Sequence, residues 1–239
     1  MMPLKKPYQQ IPIIDCGEPL VAIDMDSFAI ASPHPYTQLG APYGNLSPYY
    51  LRQSAIARLW DAQTSLQKVF PKWQIQIFDA YRPVEVQQFM VDYTFNQLLS
   101  TRGLNADNLS ENQEISLWEQ VYQFWAPPCI DRETPPPHST GAAVDVTLVD
   151  EMGQIVDMGG EIDEISAKSH PNYFATSKVA KERQYNQYRE LLKEVMFAAG
   201  FRQHPNEWWH FCFGDQMWAW LELQADPHQE AIARYGRVF

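Results

Sequence analysis

Four residues in this chain have the types and the spacing to hold a metal ion and use it. His138 and Asp145 stand seven residues apart in PPPHSTGAAVDVTLVD, residues 135–150. Between them runs a bend of small residues, Ser139, Thr140, Gly141, Ala142 and Ala143. After the bend the sequence predicts a strand over residues 143–149. Strand side chains alternate, so Ala143, Asp145 and Thr147 face one way and Val144, Val146 and Leu148 the other. The apolar set belongs in a core, and the carboxylate sits between two small neighbours that leave room beside it. A second stretch, NEWWHFCF at residues 206–213, carries Glu207 and His210 and also reads as a strand. Two histidines and one aspartate make a three-ligand set for zinc, with a fourth position open to water, as catalytic zinc requires. A glutamate three residues before a ligand histidine is suited to take a proton from that water.

The same residues allow other readings. On a strand, His210 and Cys212 share a face. With Cys212 as fourth ligand the site would be closed and structural, and Glu207 would be idle. His210 alone could equally be a core histidine.

The elements around these residues must position them. Residues 11–31 predict one or two short strands, with Ile11, Ile13, Leu20, Val21 and Ile23 as core. Residues 32–48 are rich in Pro, Gly and Tyr and read as irregular loop, with His34 between two prolines and not expected as a metal ligand. Ser47 and Pro48 look like the N-cap and first position of a helix running to Val69. Its buried face would be Leu51, Ala55, Leu59, Ala62 and Leu66. Residues 73–79 alternate as a half-buried strand. Arg82 follows, at the junction with a helix over 84–99, where a side chain can be aimed into a cleft. It could also be a surface arginine paired with Asp79 or Glu85.

Residues 100–112 read as loop and 114–125 as helix. Five prolines between 127 and 137 then stiffen the approach to His138. A hairpin turn at 149–154 and a return strand at 155–158 would pair with the Asp145 strand. Glu161, Asp163 and Glu164 form an acidic loop, a solvated turn or a partner for a substrate ammonium. His170, in the same loop, reads as a surface group or a substrate contact. A helix capped by Thr176 or Ser177 runs to Ala199 and closes on Gly200. Two last strands, WWHFCF and MWAWLEL, precede a partly ordered tail at 226–239.

Bulk properties bound the function. A chain of 239 residues is expected to form one domain, 1–239, with a full core. The net charge of −11 argues against a nucleic-acid partner, which would need a basic face. Lys5 and Lys6 precede a stretch broken by Pro12, Asp15 and Gly17, so no export signal forms. No segment has the roughly 20 apolar residues of a membrane span. Cys16, Cys129 and Cys212 are odd in number and lack a C-x-x-C pair, in keeping with a reducing, cytoplasmic setting.

The motifs His138-x-x-Gly141-x-Ala143-x-Asp145 and Glu207-x-Trp209-His210 resemble the two signatures of the VanX-type D-alanyl-D-alanine dipeptidases, zinc peptidases of the D-Ala-D-Ala metallopeptidase group. IPIIDCGEPL near the start, FDAYRP around Arg82 and DMGGEIDEISAKSH at 157–170 resemble the dipeptidase branch as well. Any one motif is weak; five in the expected order are specific. One departure is visible: the family's first motif usually opens with Ser two residues before the histidine, where this chain has Pro136.

The resemblance implies an α+β fold of the D-Ala-D-Ala metallopeptidase/hedgehog-like type, a small antiparallel sheet with helices packed on it and zinc on the sheet face. It implies one Zn²⁺ on His138, Asp145 and His210, Glu207 as acid–base residue, Arg82 stabilising the oxyanion, and the small dipeptide D-Ala-D-Ala of peptidoglycan as substrate. The alternatives are a carboxypeptidase of the same group acting on peptidoglycan stems, and a zinc-holding module without turnover.

Overall fold

The computed structural model describes residues 6–238; Met1–Lys5, including Lys5 of the N-terminal stretch, and Phe239 of the tail lie outside them. The most buried strand is β5, Ala143–Val149, in which all seven residues are out of solvent. It is the centre of a five-stranded sheet. On one side β5 pairs antiparallel with β4 (Gln74–Asp79), which in turn pairs parallel with the two-residue β2 (Ala29–Ile30). On the other side it pairs antiparallel with β7 (His210–Cys212), and β7 with β6 (Arg202–Gln203). The expected small antiparallel sheet is there, with one parallel pair added at its edge. A separate antiparallel pair joins β1 (Leu20–Ala22) to β3 (Tyr50–Arg52).

One face of the sheet is hydrocarbon. Ile75, Ile77, Val144, Val146 and Leu148 pack on α2 (Gln53–Val69) through Ala55, Leu59, Ala62 and Leu66. They also meet Leu192, Val195 and Met196 of α5 (Ala180–Ala198), whose end turns on Gly200 at φ +95°. The opposite face is walled by a helical hairpin, α3 (Val84–Thr101) and α4 (Glu111–Phe124), with its own core around Met90, Val91, Val121 and Trp125. Tyr36 of the short α1 (Pro35–Gln38) and Tyr43 join that second core. The site lies between the two layers.

A register shift between Ile77 and Asp79 decides what the site contains. Strict alternation would put Asp79 on the face of Ile75 and Ile77. The bulge instead sets Asp79 opposite Asp145, and residues opposite each other on antiparallel strands share a face. Phe78 and Asp79 therefore both point toward the α3–α4 layer.

Several expectations need correction. The helix of α2 starts at Gln53 rather than at Ser47, because residues 50–52 find a strand partner in β1. The stretch 155–158 is no strand: only Ile155 bridges to Val149, and β5 takes β4 and β7 as neighbours instead. MWAWLEL belongs to a helix, α6 (Gln216–Ala225), not a strand. Asp215 caps it by accepting a hydrogen bond from the Trp218 N–H at 2.8 Å. Its aromatic content pointed to strand, but Met217 and Ala219 bury one side against Tyr8 and Ile11. Residues 32–48 are less irregular than expected, since His34 is buried and caps α1. Among the described residues no helix is long and apolar enough to cross a membrane.

Candidate active site

Three segments deliver the three expected ligands to one point. His138 sits on a 3-10 turn, Pro137–Thr140, that ends on Gly141 with φ +68°. Asp145 comes from the middle of β5, and His210 from β7 directly opposite it in register. His138 Nε2 lies 3.1 Å from His210 Nδ1 and 3.2 Å from Asp145 Oδ2. His210 Nδ1 lies 3.0 Å from Asp145 Oδ1. All three residues are buried.

The chemistry of these atoms fits a metal ion. His138 Nδ1 is 2.6 Å from the Ala80 carbonyl oxygen. A carbonyl only accepts, so Nδ1 carries the proton and Nε2 offers its lone pair inward. That is the backbone contact expected to fix the tautomer of a ligand histidine. Tetrahedral donors about 2.0–2.1 Å from zinc stand roughly 3.3 Å from one another, close to the separations seen here. Burial pushes the Asp145 carboxyl up, but His138 and His210 facing it hold it well below the usual carboxylate range. His210 Nε2 is buried without a hydrogen-bond partner among the described residues.

The turn that presents His138 depends on its glycine. Gly141 occupies the left-handed region, and a Cβ there would overlap Cδ1 of Leu20. Gly141→Ala is expected to lower stability by about 1–2 kcal/mol from backbone strain alone. A urea denaturation midpoint equal to that of the parent protein would contradict this.

Glu207 lies beside the three ligands. Its Oε2 is 3.8 Å from His210 Nδ1, and its Oε1 is 3.4 Å from His204 Nδ1. Oε1 has no hydrogen-bond partner among the described residues. His204 Nδ1 accepts from the Asn206 N–H at 3.2 Å, and burial, reinforced by His210 and Lys6, holds this ring neutral. Burial, then the charges of Asp145 and Asp163, raises the Glu207 carboxyl far above its ordinary range. Its Oε1 is thus a buried oxygen left without a hydrogen-bond partner among the described residues, beside the three converging side chains.

Arg82 is not a surface residue. Its Nε and one terminal nitrogen donate to Asp79 Oδ2 at 2.9 and 2.7 Å. That nitrogen also reaches Tyr36 Oη at 3.2 Å and Asp145 Oδ2 at 3.3 Å, while the other donates to Gln87 Oε1 at 2.9 Å. The guanidinium stands 4.9 Å from the Trp125 ring and 5.0 Å from that of Tyr36.

The expected partner Asp79 is itself fully buried, and His34 Nε2 and Tyr43 Oη each lie 3.0 Å from its Oδ1. Burial pushes Asp79 up; Arg82, His34 and His138 together hold it down. This aspartate–histidine support was not legible in the sequence, since neither residue shows a metal or catalytic spacing.

The five expected site residues thus line one pocket, together with Lys6, Tyr8, Gln87, Trp125, Asp163, His204, Trp209 and Met217. Asp163 is no plain solvated turn. It holds φ +66°, accepts from Tyr36 Oη at 2.7 Å, and is raised to about 7 by burial and by Asp145. His170 lies outside the pocket, its ring near Phe124. The closed alternative with Cys212 is not assembled. The side chains whose donor atoms converge are His138, Asp145 and His210, while Cys212 Sγ donates to the Arg202 carbonyl at 3.5 Å.

Comparison with known proteins places this geometry in a family. A family model described as D-ala-D-ala dipeptidase matches residues 29–233. A D-alanyl-D-alanine dipeptidase from Synechocystis is 52% identical over 98% of this chain and 97% of its own. One from Escherichia coli is 43% identical over 31% of this chain and 36% of its own. Among solved structures, an LD-carboxypeptidase aligns over 92% of this chain and 79% of that one at 14% identity and TM-score 0.44, too distant to add to the argument. The family match across most of the chain and the half-identical relative along nearly all of it carry the same meaning: this chain belongs to the D-ala-D-ala dipeptidase family.

Proposed function

We propose that the protein hydrolyses D-alanyl-D-alanine to two molecules of D-alanine, with one zinc ion held by His138, Asp145 and His210. The observation that carries this reading is the triangle of buried donor atoms 3.0–3.2 Å apart with an unsatisfied Glu207 carboxylate beside it. When bound there, zinc would supply the Lewis acidity that makes water a nucleophile near neutral pH and polarises the scissile carbonyl.

The remaining work falls to the chain. Glu207 takes the proton of the attacking water and returns it to the leaving amine. Arg82, fixed by Asp79 and Gln87, keeps a positive charge near the carbonyl oxygen as it becomes anionic. Asp163, with the Tyr36 hydroxyl, receives the free ammonium of the dipeptide. The whole chain acts as one catalytic domain, since residues from Lys6 to Met217 line the pocket. A cytoplasmic setting completes the reading, supported by three unpaired cysteines.

The test is release of D-alanine from D-Ala-D-Ala by zinc-loaded protein, with L-Ala-L-Ala and N-acetyl-D-Ala-D-Ala alongside. Turnover is expected for the free D,D-dipeptide alone. Dialysis against a chelator should abolish it, and one equivalent of zinc should restore it. Cleavage of the acetylated substrate would move the protein to the carboxypeptidases. Activity that survives chelation would sink the metal assignment.

A further inference from the structure

Two cations face the pocket, and they differ in one respect. Arg82 is committed to Asp79, Asp145, Gln87 and Tyr36. Lys6 makes no ion pair with a carboxylate among the described residues; its Nζ donates to the main-chain carbonyl of Tyr122. An ammonium has three donors, so two remain free. Lys6 is also held in place rather than waving in solvent. Its N–H donates to Gln9 Oε1 at 2.8 Å at the head of a 3-10 turn, Pro7–Gln10, whose Tyr8 is buried beside Met217 of α6. The turn therefore clamps Lys6 over the rim of the pocket, against α4.

The pocket has a direction. Glu207 must protonate the leaving amine, so the C-terminal residue of a dipeptide lies on the Glu207 side. Asp163 is held by the Tyr36 hydroxyl, which also meets Arg82. Lys6 sits on the Glu207 side: its Nζ donates to the Tyr122 carbonyl, and Asn206 Nδ2, next to Glu207, donates to the adjoining Gln123 carbonyl at 3.4 Å. A zwitterionic dipeptide needs an anion at one end of its site and a cation at the other.

We propose that Lys6 binds the C-terminal carboxylate of the dipeptide and thereby sets the preference for free dipeptides over amidated or extended ones. This rests on the dipeptidase reading. The partner of the half-buried Lys6 ammonium is a neutral main-chain carbonyl, and an incoming carboxylate would supply the close anion it lacks among the described residues.

The experiment compares D-Ala-D-Ala with D-Ala-D-Ala amide as substrates of the zinc-loaded full chain, in the parent protein, Lys6→Met and Lys6→Arg. In the parent, the free acid should be strongly preferred. Lys6→Met should raise KM for the acid roughly 10- to 100-fold, with kcat changed far less, so that the acid-to-amide preference collapses. Lys6→Arg should keep most of the preference. A general folding defect would lower both substrates together and leave the ratio intact; that outcome, or an unchanged KM, overturns the proposal. A parent protein that turns over neither substrate brings down the dipeptidase reading and this inference with it, a result distinct from an active parent whose Lys6→Met variant still discriminates.

Discussion

Glu207→Ala protein is expected to hydrolyse D-Ala-D-Ala about 10³- to 10⁴-fold more slowly than the parent while retaining its full zinc content. The two halves of that result have separate causes. The rate is expected to fall because this carboxylate, without a hydrogen bond at Oε1 among the described residues, is the base proposed for both proton transfers. The metal stays because the nearest Glu207 oxygen to His210 Nδ1 is 3.8 Å away, outside the triangle of 3.0–3.2 Å. Glu207→Gln should behave the same, since it keeps the shape and loses the base. Metal analysis by mass spectrometry and single-turnover kinetics read the two halves. Loss of zinc together with activity would make Glu207 a ligand. Retained activity would assign the proton transfers to a different base.

The second large effect is expected at Arg82, to which the proposed mechanism gives the oxyanion and the fold gives a buried ion pair with Asp79. Arg82→Ala should reduce kcat by about 10²- to 10³-fold through the lost charge at the oxyanion. It should also strand Asp79, a carboxylate with no solvent exposure, among His34, Tyr43 and His138. Removing one partner of a buried ion pair costs about 3–5 kcal/mol. For a chain of this length that corresponds to a fall in Tm of roughly 10 °C. The double variant Asp79→Asn with Arg82→Ala separates the roles: Tm should recover in part and turnover should not. An Arg82→Ala protein that melts with the parent would refute the structural role, and one that keeps its kcat would refute the catalytic one.

How far the sequence carried the site depends on which interaction one asks about. His138, Asp145, Glu207 and His210 are legible because metal chemistry restricts residue type and because β5 and β7 are short strands whose alternation is clean. The hydrophobic face of β5 and the buried faces of α2 and α5 follow from the same periodicity. What escaped are features set by pairing across the chain. β3 is a strand because β1 lies beside it, and local propensity, with a proline at 48, pointed to helix. α6 reads as strand by composition, and only its docking on Tyr8 and Ile11 makes it a helix. Lys6 lies 201 residues from Glu207, and no short motif connects them. His34 looked like a loop residue because its partner Asp79 should have faced away.

The bulge at Phe78 makes the site depend on a count as well as on composition. With the extra residue, β4 hands its terminal carboxylate to the polar layer, where Arg82 and His34 hold it and His138 feels its charge. Without it, the same amino acids would carry that charge into the oily layer beside Ile75 and Ile77. Substitutions at Phe78 that keep chain length leave this parity intact, whereas a lost residue inverts it. Chain length through this strand is thus a constraint in its own right, one that a catalogue of catalytic residues does not contain.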